Sequence, residues 1–398
     1  MPLELNGLDL RLRRRPTQLR VDLDALRDNY RLIRHVAGPA KIMAILKADA
    51  YGHGMLPVAH HLADLGIDWF GVAVLEEGIA LRHAGIEAPI LVLGGLVGYQ
   101  VKHFLDYHLD LTASSLFKAE QISEVALSLG RQARVHLKID TGMHRIGVRC
   151  ENGLDFVKKT YALPNLDVIG LFSHLYAAEE STQAASRQQI ADFTQLETHL
   201  QALNIRPPIL HLANSAGLFL QPNSHFDLVR PGIGLYGCMD PSLATNSDAT
   251  LSGLRPMMRL ESQIVYVKGI RRGWGVSYGH TWHAPNDGWL ATIPVGYGDG
   301  YPRLLSNRAH VLIGGKRYPI VGQISMDQAT VWLNQDRFSI GEEVVLLGEQ
   351  GQESIGAWEL AQHAQSIAYE LLCGWTNRVP RIYITDGRER TQVSSRNF

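Results

Sequence analysis

Eight short apolar runs, separated by amphipathic stretches, constrain this chain more than any other feature. They read "AILKAD" from Ala44, "WFGVAV" from Trp69, "ILVLGG" from Ile90, "LDLTAS" from Leu109, "VHLKID" from Val135, "VIGLFSH" from Val168, "ILHLAN" from Ile209 and "FDLVRPG" from Phe226. Runs this short and this continuous suit strands buried on both faces. Between two of them, "RQQIADFTQLETHLQAL" (Arg187 to Leu203) spaces its apolar residues as a helix does. Buried strands alternating with helices call for parallel β/α architecture. Eight such units predict a closed (β/α)8 TIM-type barrel rather than an open sheet. No repeat at a fixed period is visible, so the expectation rests on pattern alone.

The chain has 398 residues, more than one ordinary core holds, and after about residue 245 the pattern changes. "LRPMMRLESQIVYVKGI", "WLATIPVG", "AHVLIGGKRYPIVGQIS", "ATVWL" and "EEVVLLG" read as short strands with turns, and "SIGAWELAQHA" as one helix among them. We therefore expect a barrel over 1–245 and a mostly β domain over 246–398, with "TNSDAT" (Thr245 to Thr250) as the linker. Residues 1–22, which include most of "TQLRVDL", are expected to pair with the second domain. The basic run Arg11 to Pro16 reads as a solvated face or connector.

With 45% hydrophobic and 19% charged residues, the composition is that of a soluble globular protein. A formal net charge of −1 gives no electrostatic case for nucleic acid or an anionic membrane. Cys150, Cys238 and Cys373 are widely spaced with no CxxC pair, which argues against a disulfide framework or a structural metal site and for a reducing cytoplasm. The first ten residues do not read as a signal peptide, and no apolar run reaches membrane-spanning length.

A barrel places its chemistry where strands end. Those ends carry Lys47, the loop from Asp140 to Arg145, His174, Asn214 with Ser215, and Arg230 with Gly232. Lys47 is the most telling. An ammonium is costly to desolvate, so an amine closing a buried strand either reaches water or is held to condense with a carbonyl.

Taken together, "AILKADAYGHG", "HLKIDTGMHRIG", "HLANSAG", "VRPGIGLYG", "VSYGHTW", "VGYGDGYPR", "GQISMDQ" and "NRVPR" resemble the bacterial alanine racemases, in family order over nearly the whole chain. The resemblance implies a pyridoxal-phosphate barrel followed by a β domain, working as a homodimer with shared active sites. It makes Lys47 the residue that binds pyridoxal 5'-phosphate covalently and serves as one catalytic base, and Tyr278 the second base, supplied by the partner subunit. Tyr51, Ser215 and the backbone N–H groups of Gly232 and Ile233 match phosphate-binding positions. Arg230 matches the arginine against the pyridine nitrogen, and His174 the residue between it and the tyrosine. Arg145 matches a residue near the cofactor and the substrate carboxylate, and Lys138 the lysine carbamylated in some members. The N–H of Met326 matches a substrate-carboxylate donor; Tyr297 and Asp327 match residues at the entrance.

One departure stands out. Some members carry tyrosine directly before "RVPR", where this chain has Asn377. Set against the resemblance, this implies loss or reshaping of a phosphate contact and a wider, more polar pocket, and leads us to expect serine as well as alanine as substrate. Two other readings remain at this stage. Single-barrel proteins with a similar lysine motif bind the same cofactor without catalysis, but lack "VSYGHTW" and "GQISMDQ". Amino-acid decarboxylases of related fold place a carboxylate where Arg230 stands.

Overall fold

In this computed structural model, residues 15–180, 182–243 and 251–390 are described. The described residues form two compact units, one lying within Arg27–Ala50 and Met55–Arg255, the other within Met1–Leu26, Tyr51–Gly54 and Pro256–Phe398. The units part at Arg255 rather than at residue 245, and the expected linker Thr245 to Thr250 lies outside the described residues.

The first unit is a closed barrel. In chain order its strands are Lys41–Ile45, Trp69–Val72, Ile90–Val92, Leu111–Ala113, Ala133–Asp140, Leu166–Phe172, Ile209–His211 and Leu228–Val229. Neighbours pair in parallel around the ring, the third and fourth through a single bridge between Leu91 and Asp110. The eighth strand closes onto the first, with Leu228 opposite Lys41. The seventh and eighth meet through Asp227 N–H donating to the Leu210 carbonyl at 3.0 Å. Trp69–Val72, Ile90–Val92, Leu111–Ala113 and Ile209–His211 are buried at every residue. That two-sided burial is why they read as unbroken apolar runs.

Helices alternate with the strands. Leu116–Ser128 is capped by Ser115, whose hydroxyl accepts from Lys118 N–H, and it buries Ala119, Ile122, Ser123 and Ala126 on one face. The helix expected over Arg187 to Leu203 spans Ala184–Ala202.

In the second unit, eight strands form the larger sheet. Gln18–Asp22 lies in its interior, antiparallel to Met258–Gln263 and parallel to Arg381–Thr385. A smaller sheet joins Tyr266–Ile270, Gly288–Ile293 and Ala329–Asn334. Two helices are present where one was expected: Ala368–Cys373 follows Ala357–His363. The second is six residues long, too short for its apolar spacing to register in the sequence. Of the basic run, Arg15 is not a solvated residue: its guanidinium donates to both carboxylate oxygens of Asp299, at 2.5 and 2.8 Å. Asp299 is fully buried, and this ion pair, together with the Gly296 N–H at 3.0 Å and Arg378 Nε at 3.4 Å, satisfies its charge.

Candidate active site

Lys47 follows the first barrel strand directly, and the chain then turns the wrong way. Ala48, Asp49 and Ala50 have φ/ψ of 53/51, 56/45 and 54/50, a left-handed helical turn of non-glycine residues. Each such residue costs about 1–2 kcal/mol. Local bonds offset this cost. Ala48 N–H donates to Glu77 Oε1 at 2.7 Å, Ala50 N–H to the Leu46 carbonyl at 2.7 Å, and Met55 N–H to Asp49 Oδ1 at 2.8 Å. Behind the lysine, Tyr236 is fully buried and donates its hydroxyl to the Ile45 carbonyl at 2.8 Å, while Ile45 N–H donates to the Pro231 carbonyl at 3.1 Å. These bonds tie the strand before Lys47 to the loop carrying Gly232 and Ile233.

In that loop Ser215 Oγ accepts from Gly232 N–H at 2.8 Å and Gly234 N–H at 3.1 Å. Gly232, expected to offer its amide to phosphate, is thus satisfied within the chain. Among the described residues no acceptor faces the Ser215 hydroxyl proton or the Ile233 N–H. Two donors are left for an anion. The helix that Ser215 opens, Ser215–Leu220, is only six residues long, so its dipole adds little.

Arg230, at the end of the eighth strand, is 4% exposed. Its Nη2 donates to the carbonyls of Ser173 at 2.7 Å and Leu212 at 2.9 Å, and lies 3.3 Å from His174 Nδ1. Its Nη1 donates to His211 Nδ1 at 3.0 Å. A guanidinium has no acceptor lone pair, so both imidazole nitrogens accept and each ring carries its proton on Nε2. His211 Nε2 then donates to His136 Nδ1 at 3.0 Å, and His136 Nε2 comes within 3.7 Å of Asp110 Oδ2. That last separation is an ion-pair distance rather than a hydrogen bond. Burial pulls the Arg230 pKa down to about 9, which leaves it charged at neutral pH.

Around His174 four cations converge. Burial, then Arg230, Lys138, Arg145 and Lys47, hold the imidazole well below its ordinary range. Burial and the two arginines likewise depress Lys138 well below an ordinary amine, against a weaker pull from Asp140. The Lys138 ammonium nitrogen lies 4.5 Å over the Phe172 ring, which itself stacks on His211 at 4.8 Å. Arg145 is exposed, in a loop shaped by Asp140, whose Oδ1 accepts from Gly142 and His144 N–H. Among the described residues no carboxylate pairs with Arg230, Lys138 or Arg145. So concentrated a positive field is stabilised by an anionic ligand, and a phosphate with a carboxylate fits it.

The remaining expected residues belong to the β unit. Tyr51 is 7% exposed, with its ring centroid 6.1 Å from that of Tyr369. One residue on, a Cβ on Gly52 would strike the Leu372 carbonyl, and the Gly52 carbonyl accepts from Arg381 Nε at 2.8 Å. Tyr278 is 73% exposed, on a tight loop between the paired segments Gly275–Val276 and Trp282–His283. Met326 is also exposed; its carbonyl accepts from Gly298 N–H at 2.9 Å, and among the described residues its own N–H meets no acceptor. Tyr297, exposed, donates its N–H to the Ser325 carbonyl at 3.1 Å. Asp327 pairs with Arg378 at 2.6 Å, so the "SMDQ" and "NRVPR" segments are linked. Asn377, beside that arginine, is exposed.

Sequence reasoning missed Glu77, His136 and His211. A histidine inside an apolar strand, as in "ILHLAN", was the one available signal for His211.

The first unit is thus a β/α barrel whose mouth gathers two lysines, two arginines and paired anion donors, and the second a β unit bearing an exposed tyrosine: the parts of a barrel enzyme for a small anionic ligand. Family models agree in detail. The alanine racemase N-terminal domain matches residues 21–240 and the alanine racemase C-terminal domain residues 257–383. The alanine racemase of Symbiobacterium thermophilum is 42% identical over 370 residues, covering 93% of this chain and 97% of that protein. That of Halothermothrix orenii is 40% identical, with 93% and 97% covered. Among solved structures, the alanine racemase of D-cycloserine-producing Streptomyces lavendulae superposes with a TM-score of 0.88 at 35% identity, covering 94% of this chain and 98% of that one. The Bacillus anthracis alanine racemase with bound L-Ala-P gives 0.85 at 33% identity, covering 94% and 97%. The chain belongs to the alanine racemase family, and interconversion of L- and D-alanine is the activity that membership carries.

Proposed function

We propose that this enzyme racemises alanine by a two-base mechanism with pyridoxal 5'-phosphate on Lys47, in a cytoplasmic homodimer whose sites are shared, and that it supplies D-alanine for peptidoglycan. The observation that carries this reading is the cluster of Lys47, Lys138, Arg145 and Arg230 about His174, beside the free donors of Ser215 and Ile233. Lys47 would hold the cofactor, Ser215 and Ile233 its phosphate, and Arg230 its ring nitrogen. Bound there, the cofactor supplies the electron sink that acidifies the substrate's α-hydrogen.

The chain's own groups do the rest. Arg230 donates a hydrogen bond and keeps its proton. A weaker sink than a carboxylate partner would create favours return of a proton to Cα over side reactions. Lys47 Nζ exchanges a proton on one face of the substrate, and the phenol of Tyr278 of the partner subunit on the other. His174, neutral and with its proton on Nε2, can donate to that phenol and so ease its ionisation. The guanidinium of Arg145 and the N–H of Met326 orient the substrate carboxylate. The buried amine of Lys138 suits carbamylation, in which a neutral amine adds to carbon dioxide with loss of one proton and becomes an anion beside Arg145. That relatives were crystallised with cycloserine or L-Ala-P supports a site for small amino-acid-like molecules. Asn377, standing where some family members carry tyrosine, favours a second substrate, serine, alongside alanine.

The test is borohydride reduction of the purified yellow protein followed by peptide mapping, with chiral chromatography of L-alanine and L-serine incubations. The expected result is reduced cofactor on Lys47 and D-alanine formation; label on another lysine refutes the assignment.

A further inference from the structure

Ser277 carries an unusual backbone. Its φ/ψ of 61/−167 falls in a region that is essentially glycine's alone. The next residue is Tyr278, and Gly279 and His280 then have φ of 68 and 44. Three of the four residues in this turn therefore have positive φ. The phenol of Tyr278 is 73% exposed, so packing within its own chain does not set its direction. Its aim comes from the backbone of this turn.

A glycine at 277 would take up this conformation without strain. What serine adds is its hydroxyl, which donates to the Gln323 carbonyl at 2.6 Å. Gln323 begins a strap that ends at Met326 and Asp327. The strap presses against the back of the turn: a Cβ on Gly322, which has φ +73, would come 2.7 Å from the Val276 carbonyl oxygen and 2.8 Å from Ser277 Cβ. The strap is pinned along its length. Gly322 N–H donates to Asn307 Oδ1 at 2.6 Å and Ile324 N–H to Ser306 Oγ at 2.9 Å. The Ser325 and Met326 carbonyls accept from Tyr297 and Gly298. Gln323 Nε2 reaches Thr281 Oγ1 at 3.4 Å, a second tie across to the turn.

We infer that Ser277 is a positioning residue: its strained backbone aims Tyr278, and its hydroxyl locks that turn to the strap bearing Met326, so that proton-transfer phenol and carboxylate-binding amide move as one rigid element. The inference rests on the roles proposed above for Tyr278 and Met326. The fold keeps a strained serine because the spacing of these two groups, both offered to one substrate, must be held closely.

The test compares Ser277→Gly and Ser277→Ala holoenzymes with the parent. Hydrogen exchange at the amides of 277–283 and 322–327 should quicken about five- to tenfold in both, as expected for one lost neutral hydrogen bond. The KM for alanine should rise. The α-deuterium isotope effect on kcat/KM should grow for the one enantiomer whose hydrogen Tyr278 removes, and stay at the parent value for the other. A Ser277 that merely supported the fold would lower Tm and leave the isotope effects alone, and unchanged exchange with unchanged isotope effects overturns the inference. Tyr278→Phe separates the two levels. If that variant racemises at the parent rate, the base assignment falls and the inference with it. If it is inactive while both Ser277 variants behave as the parent, only the inference falls.

Discussion

Lowering the pH should destabilise this protein through two buried histidines, because the structure favours their neutral form. Burial and the cations Arg230, Lys138, Arg145 and Lys47 hold His174 well below an ordinary imidazole. Burial, then Arg230, His136 and Lys138, do the same to His211. In the unfolded chain both titrate near ~6.5. Between the folded and unfolded values the unfolded chain binds more protons, so stability is full above ~6.5 and falls as pH drops below it. An imidazole that stays neutral in the fold while the unfolded chain titrates forfeits at most about 1.4 kcal/mol by pH 5.5. Lys138, also depressed, acts in the same direction. The decisive quantity is therefore the difference between the parent and a His211→Gln variant, whose side-chain oxygen can still accept from Arg230. Urea unfolding at fixed protein concentration between pH 7.5 and 5.5 should show the variant losing up to about 1.4 kcal/mol less than the parent. Equal losses would mean that His211 is not held neutral, and the account of the barrel's cation field would fail.

Glu77→Ala removes the acceptor for the N–H groups of Ala48 and Ala73, bonds of 2.7 and 2.8 Å, and should cost about 1–3 kcal/mol while weakening cofactor retention, both measurable by thermal melts and absorbance. Mixed after reversible dissociation, inactive Lys47→Ala and Tyr278→Phe chains should recover about a quarter of native activity, since half of randomly paired dimers are hybrids with one intact site; no recovery would count against sharing. Asn377→Tyr should lower kcat/KM for serine more than for alanine, by several-fold for one lost neutral hydrogen bond. An unchanged ratio in competition assays would show that Asn377 does not set specificity.

Much of the fold was legible in the chain because its signals are local. Each barrel strand is an unbroken apolar run, and the polar residues ending those runs, from Lys47 to Arg230, could be placed at one mouth once the barrel was inferred. Motif order singled out Tyr278 and Met326 as candidates in the β unit. What decided the rest joins residues far apart in sequence. His136 and His211 meet across 75 positions, and no periodicity announces that an imidazole will face an imidazole. Ser215 Oγ takes up the Gly232 N–H, which alters the set of donors left for phosphate. The left-handed turn after Lys47 contradicts the preference of alanine and persists because Glu77 and the Leu46 carbonyl satisfy the amides of Ala48 and Ala50. Ser277 likewise reads as an ordinary loop serine until the Gln323 carbonyl is brought to it. Apolar periodicity determined where strands run, since burial of a strand is a property of its own residues. Hydrogen-bond satisfaction and charge are properties of neighbours, and only the closed barrel and the folded β unit supply those.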